Sequence, residues 1–101
     1  MAPEYVFTPP ALIFFWEDFS RDIARGFLPL AWKELLTVRS RLEMKASQLN
    51  DEQRLRLERA DRIVRSELAA LLEKKGHTNE YRELGTTHDR HDWWFYLGEQ
   101  Q

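Results

Sequence analysis

Cysteine is absent from this 101-residue chain, which removes disulfides, thiol nucleophiles and thiolate metal sites together. That absence fits a reducing compartment. Glycine and proline are scarce, four of each, and no glycines cluster into a loop that could cradle a phosphate. Long apolar runs are missing too. The conspicuous one, Ala11 to Trp16, is far too short to cross a bilayer. The residues Met1-Ala2-Pro3-Glu4-Tyr5 carry no basic group, so neither a secretory signal nor a transmembrane segment is expected, and the cytoplasm is the expected location.

Aromatic side chains are missing from the middle. All thirteen lie no later than Trp32 or no earlier than Tyr81. Aromatics bury large areas and dominate cores and interfaces, so the two ends must either meet within one fold or offer apolar surface to a partner. With 43% apolar and 32% charged residues, the chain reads as a single folded domain with room for one core.

Net charge is only −2, too small to name a partner, but it is unevenly spread. From Arg39 to Arg65 the bases Arg39, Arg41, Lys45, Arg54, Arg56, Arg59, Arg62 and Arg65 outnumber the acids Glu43, Asp51, Glu52, Glu58 and Asp61. The middle is basic and both ends are acidic.

The punctuation is that of helices. Thr8 ahead of Pro9-Pro10 suits an N-cap and first turn, and Gly26 suits the residue just past a helix end. Between them Leu12, Phe15, Trp16, Phe19 and Ile23 share one face, which predicts a helix over 9–25 behind an N-terminal arm, 1–8. Pro29 can open a second helix, 28–49, in which Leu28, Leu35, Leu42 and Leu49 recur every seven residues. A strand from Thr37 to Lys45 is the competing reading, because Val38, Ser40, Leu42 and Met44 alternate with other residues there. The leucine repeat extends past both ends of that window and favours helix.

Asn50 followed three positions later by Gln53 resembles a capping box, with Asp51 and Glu52 at the positive end of the next helix dipole. That helix, 51–75, is expected to bury Leu57, Ala60, Val64, Leu68, Leu71 and Leu72 and to end at Gly76. The remaining segment, 76–101, reads as a loop with a helical turn near Glu80 to Leu84. An aromatic stretch follows, Trp93-Trp94-Phe95-Tyr96, either short helix or strand. The fold class is therefore all-α: an antiparallel helical hairpin turning at Asn50, with the N-terminal helix at its root near Trp32 and Leu71 and the C-terminal aromatics joining it there.

Motifs for chemistry are few. Ser20, Ser40, Ser47 and Ser66 sit in or at the ends of amphipathic helices, none in a nucleophile elbow, so a non-enzymatic protein with no cofactor is expected. His88 and His91, with Asp89 and Asp92, form the one concentration of metal-ligand types. Two imidazoles fall short of the four ligands of a structural site, and capping of the last segment is the plainer reading. The arginines of the elbow could meet phosphates. However, Glu58 with Arg62 and Asp61 with Arg65 are spaced for ion pairs, and no aromatic in that stretch offers a base a stacking platform.

Phe14 projects away from the apolar face of its helix, among Glu17, Asp18, Arg21 and Arg25, so it needs a second cover. Either the Trp93 to Leu97 segment folds over it or a partner does. Leu30, Met44 and Leu55 also project outward. The expected function is a protein–protein interaction module: an adaptor, assembly factor or small regulator, binding a partner or forming a homodimer. Phe14, Trp16, Trp93, Trp94 and Tyr96 are the candidate anchors. Arg54, Arg56, Arg59 and Arg62 are candidates for an acidic patch on the partner. A nucleic-acid-associated regulator using the arginine elbow, or a small metal-binding protein using His88 and His91, are the alternatives.

Overall fold

The computed structural model describes residues 8–98 and is helical throughout, with no strand among them. In order come α1 (Pro9–Ala24), α2 (Trp32–Met44), a 3-10 turn (Ala46–Gln48), α3 (Asp51–Lys74), α4 (Thr78–Gly85) and a 3-10 turn at Trp93–Phe95. The all-α class is thus what the chain adopts, and the expected arm falls largely outside the described residues.

Local signals set most helix ends. Thr8 takes the N-cap of α1 with extended backbone, and its carbonyl accepts the Leu12 N–H at 3.0 Å. Gly26 and Gly76 adopt φ of 82° and 79°, the left-handed conformation that closes α1 and α3. At both ends the following residue donates back five positions: Phe27 N–H to the Asp22 carbonyl, and His77 N–H to the Leu72 carbonyl. The capping box of α3 is complete. Asn50 Oδ1 accepts the Gln53 N–H at 2.8 Å, and Gln53 Oε1 accepts the Asn50 N–H at 2.9 Å.

Helix two is shorter than the leucine spacing predicts. Leu28 precedes a proline, which disfavours helical backbone, and Pro29 opens only a turn closed by the Trp32 N–H. At the other end the chain tightens after Met44 into the 3-10 turn, so Leu49 reaches the core from outside the helix. The buried face of α2 is consequently Trp32, Leu36, Arg39 and Leu42, while Leu28, Leu35 and Val38 are half-buried. On α3 all six expected core residues are buried.

The most extensive helix–helix packing is of α1 on α3 and of α1 on α2. Contrary to the sequence expectation, helix one does not sit at the root of a packed α2–α3 hairpin: α2 and α3 approach each other little along their backbones, and helix one lies against both. It supplies Leu12, Ile13, Trp16, Phe19 and Ile23 to the core shared with α2 and α3. Ion pairs and hydrogen bonds from Trp16 to Asp61 and from Arg56 to Glu17 tie it to the first half of α3.

The C-terminal segment, foreseen as either helix or strand, packs as a single 3-10 turn with Trp94 and Phe95 buried. Tyr81 of α4 holds it: its hydroxyl donates to the Trp94 carbonyl at 2.7 Å and accepts the Leu97 N–H at 2.8 Å. Gly85 lets that segment pass. A Cβ there would stand 2.9 Å from the Phe95 carbonyl oxygen and 3.4 Å from the Tyr96 ring. Gly85→Ala is therefore expected to cost about 1–3 kcal/mol by overpacking, despite the better helix propensity of alanine. A thermal melt unchanged or raised by the substitution would contradict this packing.

Candidate functional site

Three side chains far apart in sequence, Trp16, Arg39 and Asp61, form a buried polar network. Asp61 Oδ1 accepts both the Trp16 indole N–H at 2.8 Å and Arg39 Nε at 2.9 Å, and its Oδ2 accepts Arg39 NH2 at 3.0 Å. Arg39, only 5% exposed, also donates to Glu43 at 3.0 Å. Its guanidinium lies 4.7 Å from the Trp94 ring centroid, a cation–π arrangement. Every buried side-chain donor and acceptor among the described residues is satisfied. Such a saturated arrangement fixes the geometry of the side chains that form it.

This network overturns two sequence expectations. Asp61 turns inward to Arg39 instead of pairing with Arg65, and Arg65 instead covers the half-buried Trp93 at 3.9 Å. Trp16 and Trp94 are fully buried core side chains, so neither is a surface anchor. Tyr96 is half-buried, its hydroxyl donating to the Gly85 carbonyl at 2.6 Å and shared with that of His88. Of the five aromatic candidates only Phe14 stands well exposed, at 55%. The C-terminal aromatics pack on α2, α3 and α4 rather than over it, and its ring contact is with the neighbouring Phe15.

The basic elbow divides into structural and free arginines. Arg54 donates to the Leu49 and Ala46 carbonyls at 3.2 and 3.4 Å, closing the turn between α2 and α3. Arg56 forms a two-pronged pair with Glu17, Nε to Oε2 at 3.1 Å. Arg59 and Arg62 are exposed, and neither has an ion-pair partner among the described residues. The expected Glu58–Arg62 pair is not formed.

The Arg56 guanidinium holds the Glu17 carboxyl below the usual glutamate range. A depressed folded pKa contributes stability that is complete above the unfolded value and lost as pH falls through the folded one. Screening at the partly exposed Arg56 limits the pair to about 1 kcal/mol. Glu17→Gln should therefore lower stability at neutral pH, and the two proteins should converge in acid. Urea titrations across a pH series would expose a constant offset, which this linkage does not allow.

At the corner joining α1 to α2, the sequence marks Leu30 as outward-facing but assigns Phe27 no role. Phe27 is 58% exposed and Leu30 fully so, yet the corner between them is pinned. Phe27 N–H bonds back to Asp22, Leu28 packs on the core, and Trp32 is buried behind. A hollow of about 330 Å³ lies beside it, bordered by Pro29, Trp32 and Glu34. Charges edge the hollow: Glu80 accepts from Lys33 at 2.9 Å and meets His77 Nδ1 at 2.7 Å. Lys33 first and His77 second lower the Glu80 pKa. The available signal was Phe27 immediately after a helix-ending glycine, a position where an aromatic has no helical face to join.

The two C-terminal histidines have separate engagements. His88 stacks on Phe95 at 3.6 Å and 6°, and the exposed His91 meets Asp89 at 3.0 Å. No three side chains of ligand type converge among the described residues, nor is any described helix long and apolar enough to cross a membrane. Comparison of the chain with protein-family models, with characterised proteins and with solved structures finds no match.

Proposed function

We propose that the chain is a non-enzymatic protein-binding module, an adaptor, assembly factor or small regulator, whose principal contact is the Phe27–Leu30 corner. The observation that carries this reading is two large apolar side chains exposed on a pinned corner and edged by the Lys33, His77 and Glu80 charges. An apolar centre with a polar rim is the anatomy of an interface, and a pre-held backbone lowers the entropic cost of binding. Phe14 offers a second apolar contact, and Arg59 and Arg62 offer a positive stripe suited to an acidic patch. The occupant is another protein or a second copy of this chain.

Less supports a nucleic-acid reading. Of the four elbow arginines, Arg54 and Arg56 are spent on the fold, and Arg39 of α2 is buried.

The test is Phe27→Ser with Leu30→Ser, beside Phe14→Ser. Light scattering reads self-association against the 12.2 kDa monomer, and co-purification from native lysate reads a foreign partner. Apolar anchors contribute about 2 kcal/mol or more each, so the corner variant should weaken the complex at least tenfold while leaving the helical signal intact. A monomer that retains no partner, or a complex indifferent to the corner, would sink the proposal.

A further inference from the structure

A cleft of about 1100 Å³ lies between α3, α4 and the C-terminal segment and shares no lining residue with the corner hollow. Its floor is made by the small side chains Ala69 and Ala70 with Leu72, and its wall by Phe95 and Leu97. Arg82, Arg90 and Glu73 stand along it. The two alanines on consecutive positions of α3 leave the space that longer side chains would fill. Gly98 closes against the same helix, where a Cβ would lie 3.0 Å from that of Ala69.

The wall is built before any occupant arrives. Tyr96 is tied to the Gly85 carbonyl at 2.6 Å, Arg90 lies 4.8 Å from the Tyr96 ring centroid, and His88 is stacked on Phe95. Tyr81 fixes the segment on both sides of these residues. Rigid walls of this kind reduce the ordering cost of binding.

Size, openness and charge together point to the occupant. Small-molecule sites span roughly 300–1000 Å³ and enclose most of the ligand, whereas this cleft, at about 1100 Å³, lies at the top of that range and is only partly enclosed. An extended or helical segment fits such a groove better. Arg82 stands at this cleft with no acidic partner among the described residues, in a chain whose net charge is −2. We propose that the cleft binds a peptide segment of a partner protein in which acidic side chains flank apolar ones. The apolar residues would cover Ala69, Ala70 and Leu72, and a carboxylate would meet Arg82. This site uses none of the corner residues and stands or falls separately from them.

The probe is a random 12-residue peptide library displayed on phage and selected on the immobilised full-length chain. Selected sequences should be rich in Asp and Glu beside Leu, Ile or Phe. A synthetic representative should bind the native protein and lose at least tenfold in affinity on Arg82→Glu and on Ala70→Trp, which fills the floor. It should bind unchanged to the corner variant. Circular dichroism and melting curves of each variant confirm that the fold is intact, and Arg82→Gln supplies a milder charge change if Ala70→Trp unfolds. No enrichment over a blank surface, enrichment of basic sequences, or affinity indifferent to both cleft substitutions would overturn the proposal. Saturable binding of decanoate at the cleft with no peptide selected would also overturn it, in favour of a small apolar carboxylate.

Discussion

Replacing Asp61 with alanine is expected to destabilise the protein by about 3–5 kcal/mol, the cost of stripping one partner from a buried ion pair. Arg39 would retain only Glu43, which is itself half in water, and Trp16 would keep a buried indole N–H without an acceptor. Small domains hold about 5–15 kcal/mol in total, so the loss approaches unfolding. At a urea m-value of about 1–3 kcal/mol/M the midpoint should fall by roughly 1–3 M.

The network reading also predicts recovery. Arg39→Met combined with Asp61→Asn removes both charges while the amide oxygen still accepts from Trp16. A buried ion pair replaced by neutral groups of similar volume often leaves stability unchanged or improved. The double variant should therefore be more stable than Asp61→Ala and than either of its component single variants. Strict additivity of the two substitutions in a double-mutant cycle would contradict the coupling.

Trp94→Ala should cost a comparable amount, about 3–5 kcal/mol, because a fully buried indole leaves a large cavity. Its N–H donates to Ser40 at 3.0 Å, its face lies under Arg39, and Trp93 meets it edge-on at 5.6 Å. The loss should be concentrated in the C-terminal segment. Amide exchange at residues 93–97 should accelerate far more than in the middle of α3, and the helical signal should change little because the segment is a single 3-10 turn. Trp93→Ala is the contrast. Trp93 is half-buried under Arg65, so about 1 kcal/mol is expected, and equal losses from the two tryptophans would contradict the burial order.

Helix three shows what a linear reading can reach. Its capping box spans three residues, its terminal glycine adopts the conformation only glycine takes readily, and its six buried positions follow a 3.6-residue period without interruption. Helix two shows the limit of periodicity. The leucine repeat is real in the sequence, but Leu28 lies before a proline turn and Leu49 beyond a 3-10 turn, so the repeat crosses three different backbone conformations. Burial followed what packs against α2, and Trp32, Leu36 and Arg39 took the inner face.

Charge was the least legible property. Arg39, Asp61, Arg56 and Arg59 look equivalent along the chain, yet one pair is buried, one residue reaches across to α1 and one stands free. The candidate sites were obscured for the same reason. Trp16 and Trp94 are among the most prominent side chains in the sequence, and the fold consumes both. Leu30 was legible as outward-facing, whereas Phe27 becomes surface only because the α1–α2 corner turns it outward.

The sequence by itself determined the all-α class, the helix ends at Gly26, Asn50 and Gly76, and the inner face of α3. Each depends on interactions within about five residues, which composition and spacing encode directly. The tertiary structure alone decided where the aromatics at the two ends go. Trp16 reaches Asp61 across 45 positions and Trp94 reaches Ser40 across 54. No local period records such partners, because burial of a large ring with a polar N–H is settled by whichever acceptor the packed helices bring within 3 Å.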